Sequence, residues 1–73
     1  MSKQKDISLV MANKIKILRI KKGWSQIELA IKSKLSEESI KQIEGGKSDP
    51  PVYTVYKITE ALKVKISELF KGL

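Results

Sequence analysis

The apolar positions of this 73-residue chain recur every three or four residues, in short runs separated by serine, glycine and proline. Between about Ser8 and Lys22, Met11, Ile15 and Leu18, with Ile7 or Leu9 one turn earlier, fall on one side of a helix. Ser8 is placed to cap its start and Gly23 to end it. Ser25-Gln26-Ile27-Glu28 has the form of a capping box, with the serine oxygen on the helix backbone and the glutamate reaching back. The short helix it opens runs to about Ser33 and buries Leu29 and Ala30. Ser36 caps a third helix, with Ile40 and Ile43 one turn apart, and Gly45-Gly46 stops it. Asp49-Pro50-Pro51 begins a fourth, because proline is tolerated in a first helical turn. Its expected buried stripe is Val52, Val55, Ile58 and Leu62. A last short helix, from about Ile66 to Lys71, carries Ile66, Leu69 and Phe70. β-Branched residues are frequent over 52–66, but the apolar spacing is three and four, not two, so the pattern is helical. The expected fold is all-α, a bundle of about five short helices. Residues 1–6 are expected to form a flexible arm and 7–73 a single domain.

Composition narrows the chemistry. There is no cysteine and no histidine, which removes disulfides, thiolate metal sites and the commonest general base. The acids are scattered, and Gly45-Gly46-Lys47 lacks the strand and spacing of a phosphate-binding loop. Neither an enzyme, a metal, a cofactor nor a small-molecule substrate is expected. No apolar run approaches the roughly 18 residues of a membrane span, and the N-terminus is too polar for a secretory signal, so the expected location is the cytoplasm. The net charge is +7, and residues 1–22 hold seven basic side chains against Asp6 alone. Such a surface attracts polyanions over ~8–10 Å. All but one of the basic residues are lysines, which bind phosphate as point charges; no arginine in the central segment offers a fork to guanine.

The segment GWSQIELAIKSKLSEESIKQIEGGKSDPP then carries the most information. Two capped helices flank the three-residue turn Ser33-Lys34-Leu35, and Leu29, Ala30, Leu35, Ile40 and Ile43 are spaced to share one interface. Ala30 is small enough to let the helices cross closely. This is the helix-turn-helix plan, whose second helix enters the major groove of DNA by its N-terminal end. The chain resembles the XRE-type family of Cro and phage-repressor regulators. The matching residues are Ile15, Leu18-Arg19, Gly23-Trp24-Ser25-Gln26, Glu28-Leu29-Ala30, Leu35-Ser36, Ile40, Ile43-Glu44-Gly45-Gly46-Lys47, Pro50, Ile58, Ala61-Leu62, Val64 and Glu68-Leu69-Phe70. They cover about residues 11–70.

That resemblance implies roles by position. Gln26, with the backbone amides at the start of the second helix, would touch a phosphate. Glu37, Glu38, Ser39 and Gln42 would face the groove, and Lys41 and Lys47 would lie near the flanking backbone. Arg19 and Glu44 would form an internal ion pair. Lys34 and Lys63 stand where the family commonly has glycine, at an expected cost on the order of 1 kcal/mol for a left-handed residue. Glu37-Glu38 also departs from an easy match with DNA, since carboxylates repel phosphates and accept only from donors such as cytosine N4. The same acids suit a helix N-terminus on purely structural grounds.

Other residues have two readings. Trp24 packs in the core or stacks on a base. Tyr53 and Tyr56 are helix-surface or dimer residues, or touch nucleic acid. Ile17, Ile20, Ile31 and Val64 are candidates for a dimer face. The expected function is sequence-specific binding of double-stranded DNA by a homodimeric repressor or controller on a two-fold symmetric operator. The rival expectation is an antitoxin-like or adaptor-like protein-interaction module with DNA binding secondary.

Overall fold

The computed structural model describes residues 3–71, with side chains over 7–71. Five helices follow in order: α1 (Lys3–Lys21), α2 (Gln26–Ser33), α3 (Glu37–Glu44), α4 (Val52–Leu62) and α5 (Ile66–Leu69). The chain is all-helical over the described residues, as its periodicity indicates. None of these helices is long and apolar enough to cross a membrane.

The beginning of α1 differs from expectation. The helix starts at Lys3, so it takes in most of the stretch expected to form an arm, the first two residues of which lie outside the described part. Nothing from Lys3 to Ile7 breaks a helix: there is no glycine or proline, and Gln4 and Lys5 are good helix formers. Ser8 is therefore not a cap but an interior residue, and it is buried. The inward stripe is Ser8, Met11, Ala12 and Ile15, while Ile7 and Leu9 are both more than 40% exposed.

One core joins all five helices. Met11 and Ile15 from α1 meet Leu29 and Ala30 from α2, Ile40 and Ile43 from α3, Val55, Ile58 and Leu62 from α4, and Leu69 from α5. Each large aliphatic side chain so buried contributes ~1.5–3 kcal/mol. Leu18, Trp24, Leu35, Val64, Ile66 and Phe70 pack around it half-buried. Val52 does not join the α4 stripe and is 75% exposed, because it opens the helix beyond the reach of its neighbours. The buried stripe is Val55, Ile58, Thr59 and Leu62; the Thr59 hydroxyl donates to the Tyr56 carbonyl at 3.0 Å, which permits its burial.

Two turns fix the entry to and exit from α3. Lys34 closes α2 in the left-handed conformation, φ 60°, and its N–H reaches back to the carbonyls of Ala30 and Ile31. Gly46, at φ +70°, follows α3 in a conformation that glycine adopts without strain; a Cβ there would lie 2.6 Å from Leu9 Cδ2, the movable end of an exposed side chain.

Candidate nucleic-acid interface

The sequence Ser25–Glu28 forms the capping box its spacing announces. Glu28 N donates to Ser25 Oγ at 3.1 Å, and Ser25 N donates to Glu28 Oε1 at 2.8 Å. At the other end of α2, Leu35 N donates to the Ala30 carbonyl at 2.9 Å, and the buried Ser33 hydroxyl donates to the Leu29 carbonyl at 2.7 Å. These bonds turn the chain sharply, so that α3 leaves α2 at a fixed angle with Leu35 tucked against the core.

Ser36 then caps α3. Its Oγ accepts from Ser39 N at 3.1 Å and donates to Ser39 Oγ at 2.9 Å. One side of α3 is sealed: Ile40, Ile43 and Glu44 are buried. The other side is open: Glu38, Lys41 and Gln42 are exposed, with Glu37 and Ser39 half-buried beside them. Lys47 is exposed just past the end of the helix.

The open side is organised by its own side chains. Gln42 Nε2 donates to Glu38 Oε2 at 3.1 Å, and Lys41 Nζ lies 3.7 Å from Glu37 Oε2. The Lys41–Glu37 pair is exposed and contributes little to stability. Both glutamates sit in the first turn of α3, where the helix dipole favours them by ~0.3–1 kcal/mol.

Behind this face lies a single buried carboxylate. Glu44 Oε2 accepts from Arg19 Nε at 2.7 Å, and Glu44 Oε1 accepts from Arg19 Nη2 at 3.0 Å and from Gln26 Nε2 at 3.0 Å. Arg19 Nη1 also donates to the Trp24 carbonyl at 2.7 Å. The Glu44 hydrogen bond raises the Arg19 guanidinium above its ordinary value, against the opposing effect of burial. Sequence reasoning anticipated the Arg19–Glu44 meeting but not that Gln26 and Trp24 would join it. The Gln26 bond needs α2 and α3 already packed, whereas the Trp24 bond joins residues five apart across the end of α1.

Trp24 is half-buried against the core, with Lys22 Nζ at 5.7 Å and Lys32 Nζ at 5.0 Å from its ring. That is the packing alternative for Trp24. Tyr53 and Tyr56 are exposed on α4; Lys57 Nζ lies 4.9 Å from the Tyr53 ring, and the Tyr56 hydroxyl donates to Glu60 at 3.1 Å. The Tyr56 phenol is thereby held above its ordinary value, chiefly by that hydrogen bond. Both rings, with Lys32, Lys34, Lys57 and Glu60, line a hollow of about 210 Å³ that α2–α4 packing creates. Among the described residues no group of acids is placed to hold a metal ion.

Two short helices in sequence, the first capped at a buried network and the second projecting one polar side, define a helix-turn-helix unit. The helix-turn-helix family designated HTH_3 matches residues 15–69, and the chain belongs to it. This is a family of DNA-binding transcription regulators. An HTH-type transcriptional regulator of Methanocaldococcus jannaschii is 38% identical over 60 residues, 82% of this chain and 91% of that protein. The antitoxin HipB of Escherichia coli is 32% identical over 57 residues, 78% of this chain and 65% of its own length. Among solved structures, an HTH_3 family transcriptional regulator from Vibrio cholerae superposes with a TM-score of 0.87 at 31% identity, covering 92% of this chain but 38% of that longer one. The restriction-modification controller protein C.AhdI from Aeromonas hydrophila gives 0.83 at 28% identity, covering 86% of this chain and 96% of its own.

Proposed function

We propose that this chain is a cytoplasmic, sequence-specific transcriptional repressor or controller that binds double-stranded DNA as a homodimer on a two-fold symmetric operator. In this reading α3 enters the major groove by its N-terminal turn. Glu37, Glu38, Ser39 and Gln42 face base edges, and Lys41 and Lys47 approach the flanking phosphates. The N-terminal amides of α2, with Gln26 beside them, receive another phosphate. The observation that carries the reading is the division of α3: a wholly buried side anchored by Ile40, Ile43 and Glu44, and an open polar side made of Glu38, Lys41 and Gln42. The structural likeness to C.AhdI, at a TM-score of 0.83 and 28% identity, supports the controller role.

The dimer face is drawn from exposed apolar residues. Ile17, Ile20 and Ile31 are each more than half exposed and remain candidates, whereas Val64 is half-buried against the core and is withdrawn. Ile7 and Val52 add a further apolar patch around a hollow of about 140 Å³ that Met11, Val55, Ile66 and Phe70 also line.

Selection of bound sites from a pool of random duplexes tests the proposal. Enrichment of two like half-sites of opposite orientation, centred about 10–10.5 base pairs apart or a multiple of that, is the expected result. No enrichment, with no duplex binding at ~50 mM salt, overturns it. It would favour a second reading that the likeness to HipB and the Glu37-Glu38 pair support, a protein-interaction module with DNA binding secondary.

A further inference from the structure

Resting on the proposed DNA-reading role of α3, we infer that Glu38 acts as a positioning residue, orienting the Gln42 amide so that it reads adenine. The inference starts from the 3.1 Å bond between Gln42 Nε2 and Glu38 Oε2. An ionised carboxylate only accepts hydrogen bonds, so the atom of Gln42 facing it must be the nitrogen and not the oxygen. The end-for-end choice of the amide is thereby fixed by charge, before any DNA arrives.

The consequence follows from the shape of an amide. Its nitrogen carries two hydrogens, one on the side of the carbonyl and one pointing away from it. Adenine is read by the carbonyl-side edge, where the oxygen accepts from N6 and the adjacent hydrogen donates to N7. The bond to Glu38 needs only one hydrogen, and the outward one serves it without consuming that edge. Gln42 then presents a donor and an acceptor in fixed order. A freely rotating glutamine would also present the reverse order.

The rest of the face adds no competing donor pattern. Lys41 is drawn toward Glu37, and the Ser39 hydroxyl, which accepts from Ser36, keeps one lone hydrogen to donate and offers no paired donor–acceptor edge. The chain's single arginine, Arg19, is committed to Glu44 and to the Trp24 carbonyl, so no guanidinium is offered to guanine. The second oxygen of Glu38 can accept an amino hydrogen from a neighbouring cytosine or adenine, consistent with a carboxylate's tolerance in a major groove.

The two effects of Glu38 on binding have opposite signs, which makes the inference testable. As a charge, it repels phosphates; as a positioning group, it sharpens selectivity. The probe is the duplex that the wild-type chain selects, alongside duplexes in which each A·T pair of the half-site is replaced by G·C, measured by fluorescence anisotropy at fixed salt. Gln42→Ala should abolish the preference at one A·T position. Glu38→Ala should lower the preference at that same position roughly fivefold or more, while affinity for random duplex stays level or rises. Glu38→Gln, whose amide can donate as well as accept, leaves either end of Gln42 free to face it and should lower the preference as Glu38→Ala does. Retention of the full preference in Glu38→Ala would overturn the inference and leave the DNA-reading role intact. So would an A·T preference that Gln42→Ala does not touch. Failure of the wild-type chain to bind any duplex would remove the DNA-reading role itself, and this inference with it.

Discussion

Arg19 and Glu44, twenty-five residues apart in sequence, close two parallel hydrogen bonds of 2.7 and 3.0 Å. Their side chains are 12% and 2% exposed, so this charge pair is almost wholly removed from water. It joins the last turn of α1 to the last residue of α3, and through Gln26 it also holds the first residue of α2. The geometry of the helix-turn-helix unit thus hangs on one carboxylate.

Removing that carboxylate should be severe. Glu44→Ala leaves the Arg19 charge and the Gln26 amide facing a cavity, and breaking a buried pair in this way costs about 3–5 kcal/mol. For a domain of this size that is a large share of the total stability. Thermal or urea unfolding should show the loss, and Glu44→Gln, which keeps an acceptor for Gln26, should lose less. An unchanged melting curve for Glu44→Ala would show that the pair holds nothing together.

The two lysines in left-handed conformation, Lys34 and Lys63, each sit at φ 60°. Strain there is about 1–2 kcal/mol, and glycine returns roughly 0.5–1 kcal/mol of it as unfolded-state entropy. Lys34→Gly and Lys63→Gly should therefore each stabilise the domain by about 0.5–1 kcal/mol, with nearly additive effects because the turns are distinct. Destabilisation by either change, measured by urea unfolding, would mean the lysine side chains contribute more than their backbone costs.

Ser36 is the sole side-chain cap of α3. Ser36→Ala should cost about 1 kcal/mol and loosen the turn that carries Glu37, Glu38 and Ser39. Amide hydrogen exchange should show faster exchange confined to residues 37–40. Exchange unchanged there would mean the turn Ser33-Lys34-Leu35 holds the helix start without the cap.

Gln42 is exposed and its amide donates to the exposed Glu38, so Gln42→Ala should leave the melting temperature nearly unchanged. Its loss should weaken binding to the selected site by about 1–3 kcal/mol, with little effect on random duplex. Equal weakening on both would deny Gln42 any part in reading bases.

The contrast between these residues explains what was legible in the sequence. The capping box at Ser25 and the cap at Ser36 are matters of local chemistry, which survives in a one-dimensional string, whereas the left-handed turn at Lys34 and the Arg19–Glu44 partners were legible through the family resemblance. The inward face of α1 was harder, because Ser8 is polar and its flanking Ile7 and Leu9 are apolar, yet the helical phase set by Met11, Ala12 and Ile15 buries the serine. Val52 misled for the opposite reason: its spacing fits the stripe, but it stands at the end of α4 where no neighbour covers it. The hollow between Lys34 and Tyr56 and the Gln26–Glu44 bond were out of reach, because each needs two helices already in place.

The account turns on which surface meets DNA. Mapping of backbone amide chemical shifts on titration with the selected duplex tests this most directly. The largest changes should fall on the first two turns of α3, residues 37–42, and on the start of α2 near Gln26, with Ile40 and Ile43 perturbed only through their neighbours. Changes concentrated on α4 around Tyr53 and Tyr56, with residues 37–42 unmoved, would contradict it.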